Sequence, residues 1–212
     1  MITKSITIIG CIAYFCFNAV SAETINIAVS SNFYTTLKQI KIQFENKGIH
    51  KINIIQGSTG NLYHQIIYGA PYDIYLSADE YHPSLLIKKG FANKETSFTY
   101  ACGQLAFIFN KDISLYQLSN IKNFSRISIA NPSKAPYGEA AIETLQKLGL
   151  LSAFKNNLVY GNSVAQVFHF VASGNIEGGF ISKSLTFNLQ NKNYILVPRN
   201  FHKPIKQNAV LI

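Results

Sequence analysis

Cysteine is scarce in this chain. Of its three cysteines, Cys11 and Cys16 fall within the first 22 residues, and beyond them only Cys102 remains. A single thiol cannot close an internal disulfide, so the fold is not expected to depend on one. No Cys/His cluster has the spacing of metal ligands, so neither a structural metal nor a cofactor is expected. Acidic residues are few as well, 10 against 19 lysines and arginines, for a net charge of +9. The basic residues are scattered. No run of five or six like charges occurs, and no stripe interleaves basic and aromatic side chains, so nucleic-acid binding is not expected. A diffuse basic field of this kind mildly enriches anions near a cleft. Repeats and low-complexity linkers are also lacking.

The longest apolar stretch, Ile6 to Phe17, is shorter than the roughly 20 residues needed to span a membrane. It follows the one early charge, Lys4, and precedes Ala19-Val20-Ser21-Ala22. A charged start, an apolar core and small residues before a cut site are the marks of a secretory signal over residues 1–22, with cleavage expected after Ala22. The remainder, Glu23 to Ile212, suits one domain or two small lobes. A composition of 48% hydrophobic and 14% charged residues belongs to a folded globular chain.

Along that remainder strand and helix patterns alternate. Ile25 to Val29 has period two and reads as a strand, followed by a helix over Phe33–Asn46 whose Leu37, Ile40, Ile42 and Phe44 suggest an apolar face. Further strands are expected at Ile52–Ile55, Asp73–Ser77, Leu105–Phe109, Ile127–Ala130, Leu158–Tyr160, Gly179–Ile181, Tyr194–Val197 and Ala209–Ile212. Helices are expected over Gly60–Tyr68, Pro83–Lys89, Gly138–Leu148 and Val164–Ala172, three of them stopped by Gly90, Gly149 and Gly174. Such alternation predicts α/β architecture with largely parallel sheets. In these sheets ligands sit beyond the carboxyl ends of the strands, where loops enter helices.

Four such loops are rich in hydroxyls, amides and glycine: Ser30-Ser31-Asn32, Gly57-Ser58-Thr59-Gly60, Pro132 to Gly138, and Gly161-Asn162-Ser163-Val164. Each places N–H groups and hydroxyls at a helix N-terminus, which carries unpaired donors and partial positive charge. Taken singly, each loop reads most simply as a helix cap. Four across two blocks point to a cleft that closes on a small oxyanion. None of the four carries Asp or Glu before its helix begins. That suits a fully deprotonated dianion, which only accepts hydrogen bonds, whereas phosphate near pH 7 keeps a proton and favours an acceptor carboxylate. A secreted serine hydrolase using Ser31 or Ser58 is disfavoured, because no Gly-x-Ser-x-Gly elbow and no evident histidine partner accompany them. Asp73 and Asp79 read as capping or strand-fixing carboxylates, and no catalytic residue is expected.

The stretches Ala28-Val29-Ser30-Ser31-Asn32-Phe33, Gly57-Ser58-Thr59-Gly60 and Gly69-Ala70-Pro71-Tyr72-Asp73-Ile74-Tyr75-Leu76-Ser77-Ala78-Asp79-Glu80 resemble the periplasmic molybdate-binding proteins of ABC importers. So do Phe98 to Leu105, Ala130-Asn131-Pro132, Ala135-Pro136-Tyr137-Gly138 and Gly174 to Phe180, in order, from about Ile25 to Ile212. The resemblance implies a two-lobed type II periplasmic-binding fold, with mixed, mostly parallel sheets flanked by helices and joined by a two-strand hinge. Lobe 1 would comprise residues 23–100 plus 190–212, and lobe 2 residues 101–189. Carried over, the ligand positions are Ser31 and Asn32 in the first loop, Ser58 (or Thr59, given a one-residue shift) in the second, Tyr137 in the third, and the backbone N–H of Val164 in the fourth. A tyrosine that some relatives place after the Gly179–Ile181 strand is replaced by Ser182.

The implied function is capture of molybdate, and of tungstate, in the periplasm by a monomer that delivers to an ABC permease. The metal involved is only that of the bound oxyanion. Sulfate or another oxyanion is the alternative ligand. The family continues past the Ala209–Ile212 strand into a closing helix, which implies a shortened member, or a truncated, non-functional paralogue.

Overall fold

The computed structural model describes residues 23–48, 50–110, 117–189 and 193–212. The segment read as a signal, residues 1–22, lies outside the described residues.

Two five-stranded sheets organise the chain. The first has the order β2-β1-β3-β10-β4, built from β1 (Thr24–Ser30), β2 (Lys51–Gly57), β3 (Ile74–Leu76), β4 (Phe98–Gly103) and β10 (Ile205–Leu211). The second has the order β7-β6-β8-β5-β9, from β5 (Leu105–Phe109), β6 (Ile127–Ala130), β7 (Leu158–Gly161), β8 (Gly178–Ser182) and β9 (Tyr194–Leu196). Each sheet is half parallel and half antiparallel. β1 runs parallel to β2 and β3, while β10 is antiparallel to β3 and β4. Likewise β6 is parallel to β7 and β8, while β5 is antiparallel to β8 and β9. The parallel halves come from strand–helix–strand units. The antiparallel halves arise where the chain crosses between sheets, once at Gln104 and once between β9 and β10.

The second crossing corrects the expected boundary. Residues 194–196 were placed with the first lobe, but β9 pairs with β5 in the second sheet. Its apolar residues cover the edge of β5, whose five residues are all buried. The strand expected at 209–212 begins earlier, at Ile205, and lies inside the first sheet between β3 and β4, with Ala209 and Val210 buried.

The first sheet is covered on both faces. Along β1, Ile27 and Val29 meet Leu37 of helix α1 (Tyr34–Glu45), while Ala28 faces α2 (Thr59–Ile67) and α3 (Tyr81–Lys88) with Leu62, Ile66, Tyr75 and Leu86. Alternating side chains of a strand point to opposite faces, so one strand serves both cores. Helix α1 buries less than expected: only Leu37 is buried, whereas Ile40, Ile42 and Phe44 are exposed. The second sheet packs against α4 (Pro136–Lys147), the short α5 (Leu151–Phe154) and α6 (Val164–Ala172) in a larger core. There Phe107 lies edge-on to Phe124 and Phe180. Glycine at 178 makes this possible, because a Cβ would sit 2.5 Å from the Phe107 ring. No described helix is long and apolar enough to cross a membrane.

The carboxyl ends of β1, β2, β6 and β7 all lead into helices, and these ends face one another across the gap between the sheets. That places α1, α2, α4 and α6 with their N-termini at the same gap.

Candidate functional site

A cavity of about 10 Å³, room for a single water, lies where these loops meet. From the first sheet's side it is lined by Ser30, Ser31 and Asn32 after β1 and by Ser58 and Thr59 after β2. Tyr137 at the start of α4 and Ser163 and Val164 at the start of α6 line it from the other side. The structure thus brings together all five residues singled out in the sequence: Ser31, Asn32, Ser58, Tyr137 and Val164. Each is buried. No Asp, Glu, Lys, Arg or His lines the cavity. Its positive character comes from helix N-termini, where the first N–H groups have no partner within the helix.

Ser58 is the distinctive residue. It is the N-cap of α2, yet its hydroxyl caps nothing. That oxygen is buried and has no hydrogen-bond partner among the described residues. Leaving a buried hydroxyl unpaired costs about 1–3 kcal/mol. A ligand that accepts a hydrogen bond there removes that cost.

Thr59 differs. Its hydroxyl lies 2.8 Å from Ser30 Oγ, and the N–H of Ala78 donates to both oxygens, at 3.1 and 3.3 Å. Its carbonyl accepts from the Tyr75 hydroxyl at 2.8 Å. Thr59 therefore ties α2 to β1 and β3, while the neighbouring serine remains uncommitted.

The other side chains are held. Ser31 Oγ donates to the Gly57 carbonyl at 2.8 Å, drawing the first two loops together. Asn32 Nδ2 donates to Gln207 Oε1 at 2.8 Å. Gln207 Nε2 donates to the Tyr137 hydroxyl at 3.1 Å. Burial pushes the Tyr137 hydroxyl well above its ordinary pKa, an effect partly offset by donation from Gln207 and Asn32, so the group stays protonated. Ser163 does cap its helix, accepting from the Gln166 N–H at 3.4 Å, and Gln166 Oε1 accepts from the Asn162 N–H at 2.6 Å. This pair closes the start of α6, with Val164 as its first residue.

Among the described residues, polar contacts besides that of Asn32 with Tyr137 join the two sides directly. Gly60 N–H donates to the Lys134 carbonyl at 2.9 Å. Ser184 Oγ donates to the Asn32 carbonyl, and Gln207 reaches Tyr137. Glycine at 60 eases this approach, since a Cβ would lie a tight 3.2 Å from Lys134 Cα. Ser182 does not line the cavity. It is buried in β8 and bonds Ser184 at 2.9 Å, so it supports the contact to Asn32 from behind.

Gln207, Tyr100 and Ser184 escaped the sequence reading. For Gln207 a signal existed: it shares one face of β10 with Ile205 and Ala209, so an amide stands at an inward position. Ser184 follows β8 in a short 3-10 helix, Lys183–Asn188, which carries no pattern that would mark it. The carboxylates behave structurally, as expected. Asp73 Oδ2 accepts from the Asn26 N–H at 2.7 Å, and Asp79 Oδ1 accepts from the His82 N–H at 2.9 Å at the start of α3. Among the described residues no group of three or more His, Cys, Asp or Glu could hold a metal ion.

The family model described as bacterial extracellular solute-binding protein matches residues 25–212. The molybdate-binding protein ModA of Azotobacter vinelandii is 40% identical over 200 residues, covering 92% of this chain and 79% of the relative. ModA of Rhodobacter capsulatus is 35% identical over 194 residues, covering 91% and 77%. The solved structure of the Azotobacter vinelandii periplasmic molybdate-binding protein superposes with a TM-score of 0.81 at 34% identity, over 88% of this chain and 84% of that one. Family match, sequence identity and superposition agree: this chain belongs to the bacterial extracellular solute-binding proteins, with the type II periplasmic-binding fold, in the group that includes the ModA molybdate-binding proteins.

Proposed function

We propose that this protein captures molybdate, and tungstate, between its two lobes in the periplasm and delivers it to an ABC permease. It would be exported with cleavage after Ala22 and act as a monomer, without nucleic acid and without chemical turnover. The oxyanion would be held by Ser31, Asn32, Ser58, Tyr137 and the N–H of Val164, with Ser58 rather than Thr59 as the second-loop ligand.

The observation that carries this reading is the unpartnered Ser58 hydroxyl in a cavity with no charged side chain. A dianion that only accepts hydrogen bonds suits a set of donors, and each charge-assisted bond contributes about 1.5–3 kcal/mol. Relatives named for molybdate binding, at 40% and 35% identity, support the choice of ligand. A tetrahedral oxyanion is far larger than a cavity of about 10 Å³, so it enters when the two sides separate.

Thermal unfolding with added molybdate, tungstate, sulfate and phosphate tests the proposal. A ligand at about a hundred times its Kd stabilises the folded state by about 2.7 kcal/mol, so the midpoint should rise with molybdate and tungstate and stay unmoved by phosphate. A cooperative transition that does not move with millimolar molybdate would sink it. A rise with sulfate alone would transfer the site to that anion.

A further inference from the structure

We propose that Gln207 is a positioning residue for oxyanion capture, a single carboxamide that bridges the two sides of the cleft by holding Asn32 and Tyr137 together. This rests on the molybdate reading above and adds to it a residue that no ligand need touch.

The geometry is specific. Gln207 lies on β10, the strand that returns from the second sheet to the first, where the pairing with β4 shifts register between Gln207 and Asn208. Its side chain is 3% exposed. Oε1 accepts from Asn32 Nδ2 at 2.8 Å and from the Tyr100 hydroxyl at 3.1 Å, while Nε2 donates to the Tyr137 hydroxyl at 3.1 Å. Asn32 and Tyr100 belong to the first sheet's side, and Tyr137 belongs to α4 on the second. The hinge leaves room for the bridge because position 103 is glycine. A Cβ there would overlap the Tyr137 hydroxyl and lie 2.9 Å from Gln207 Nε2.

Only an amide of this length supplies the acceptor and the donor at once. Ionised glutamate would offer acceptors alone, and methionine no donor and only a weakly accepting sulfur. All three polar side chains are buried, so each needs its partners. Opening the cleft draws Tyr137 away from Gln207 and leaves both to find water. The bridge therefore favours the arrangement in which the loop after β1 and the start of α4 face each other at ligand distance. It does so from behind the cavity and leaves the oxyanion's own contacts free.

The test is a double-mutant cycle read by calorimetric titration of molybdate into the full mature chain, with Gln207→Met, Tyr137→Phe and both together. The melting midpoint without ligand is recorded for each. Losing the bridge should weaken molybdate binding about tenfold in Gln207→Met, the worth of one net hydrogen bond. The double variant should be no weaker than the weaker single, because both substitutions remove the same bond. A purely structural glutamine would lower the midpoint and leave the Kd unchanged, which overturns the proposal. So would single effects that multiply independently. Tyr137→Phe removes one oxygen and keeps the ring. Should Gln207→Met fail to fold, Gln207→Glu, which keeps the length and offers no donor to Tyr137 when ionised, takes its place: parental affinity in it overturns the bridge, and weakened affinity with an unchanged midpoint supports it. If the parent chain itself binds no molybdate, the functional reading fails and this inference falls with it. If the parent binds and Gln207→Met matches it, only the inference fails.

Discussion

A small cavity and two open grooves lie side by side in this molecule, and the cavity differs from the grooves in nearly every respect. The site cavity measures about 10 Å³ and is neutral. Beside it, both sharing Pro136 with it, open grooves of about 440 and 380 Å³ are lined by Asp79, Glu80, Glu139 and Glu143 among lysines and His82. By size and charge the grooves would claim attention first. Their charges, however, answer one another. Glu143 lies 3.5 Å from Lys203, Glu80 lies 3.6 Å from Lys206, and Asp79 lies 2.7 Å from His82. The small cavity holds instead a buried hydroxyl with nothing to bond. A binding site is marked by unmet hydrogen-bonding capacity, and free volume is a poor guide when a cleft closes on its ligand.

That contrast is open to direct attack. The largest effect should come from giving the cavity the charge of its neighbour. Ser58→Asp replaces a donor with an anion at the dianion's position and should weaken molybdate binding by about a hundredfold or more, measured by calorimetry. Affinity within a few-fold of the parent would show that Ser58 is not at the site. An intermediate effect is expected from Gly60→Ala. The added methyl presses on the Lys134 backbone across the gap, so affinity should drop roughly three- to tenfold, the cost of one strained contact. The unfolding midpoint without ligand should hardly move, because the two sides can part. An equal loss of stability and affinity would place the strain within one lobe.

The smallest effect belongs to the grooves. Burial, then the charges of Asp79 and Glu143, raise the pKa of Glu139 above its ordinary value, despite opposing help from Lys203 and His82. A carboxyl whose folded pKa is raised favours folding while protonated, and that benefit is lost as pH rises from the unfolded value through the folded one. Glu139→Gln should therefore raise the midpoint slightly at neutral pH, with the gain vanishing in acid, and leave molybdate affinity within about twofold, since an exposed charge is well screened. A larger change in affinity would join groove and cavity into one site.

Much of this was legible in the chain. Apolar runs located most strands, alternating as in Ile25–Val29 or unbroken as in Leu105–Phe109, whose five residues are all buried. Serine, asparagine and glycine before the helices located the site loops, because helix N-termini need donors and acceptors nearby. β4 went unread as a strand: Thr99, Tyr100 and Cys102 interrupt any apolar pattern there, and the strand is held by pairing with β10. Helix α1 misled, because its spacing of isoleucine and phenylalanine promised a buried face that the sheet leaves uncovered. The strand at 194–196 was assigned to the wrong sheet, since local sequence carries no record of which distant edge a strand will join.

The residues by themselves determined the alternation of elements, a lone cysteine between residues 23 and 212, and a set of neutral donors at helix starts. These are local properties, written in spacing and residue type. Tertiary structure alone decided that Thr59 would be spent on Ser30 and Ala78 while Ser58 stayed free, that the four loops would share one cavity, and that Gln207 would reach from the returning strand to both sides of it. Those outcomes depend on contacts between residues as far apart as Asn32 and Gln207, and such contacts exist only once two sheets have been brought face to face.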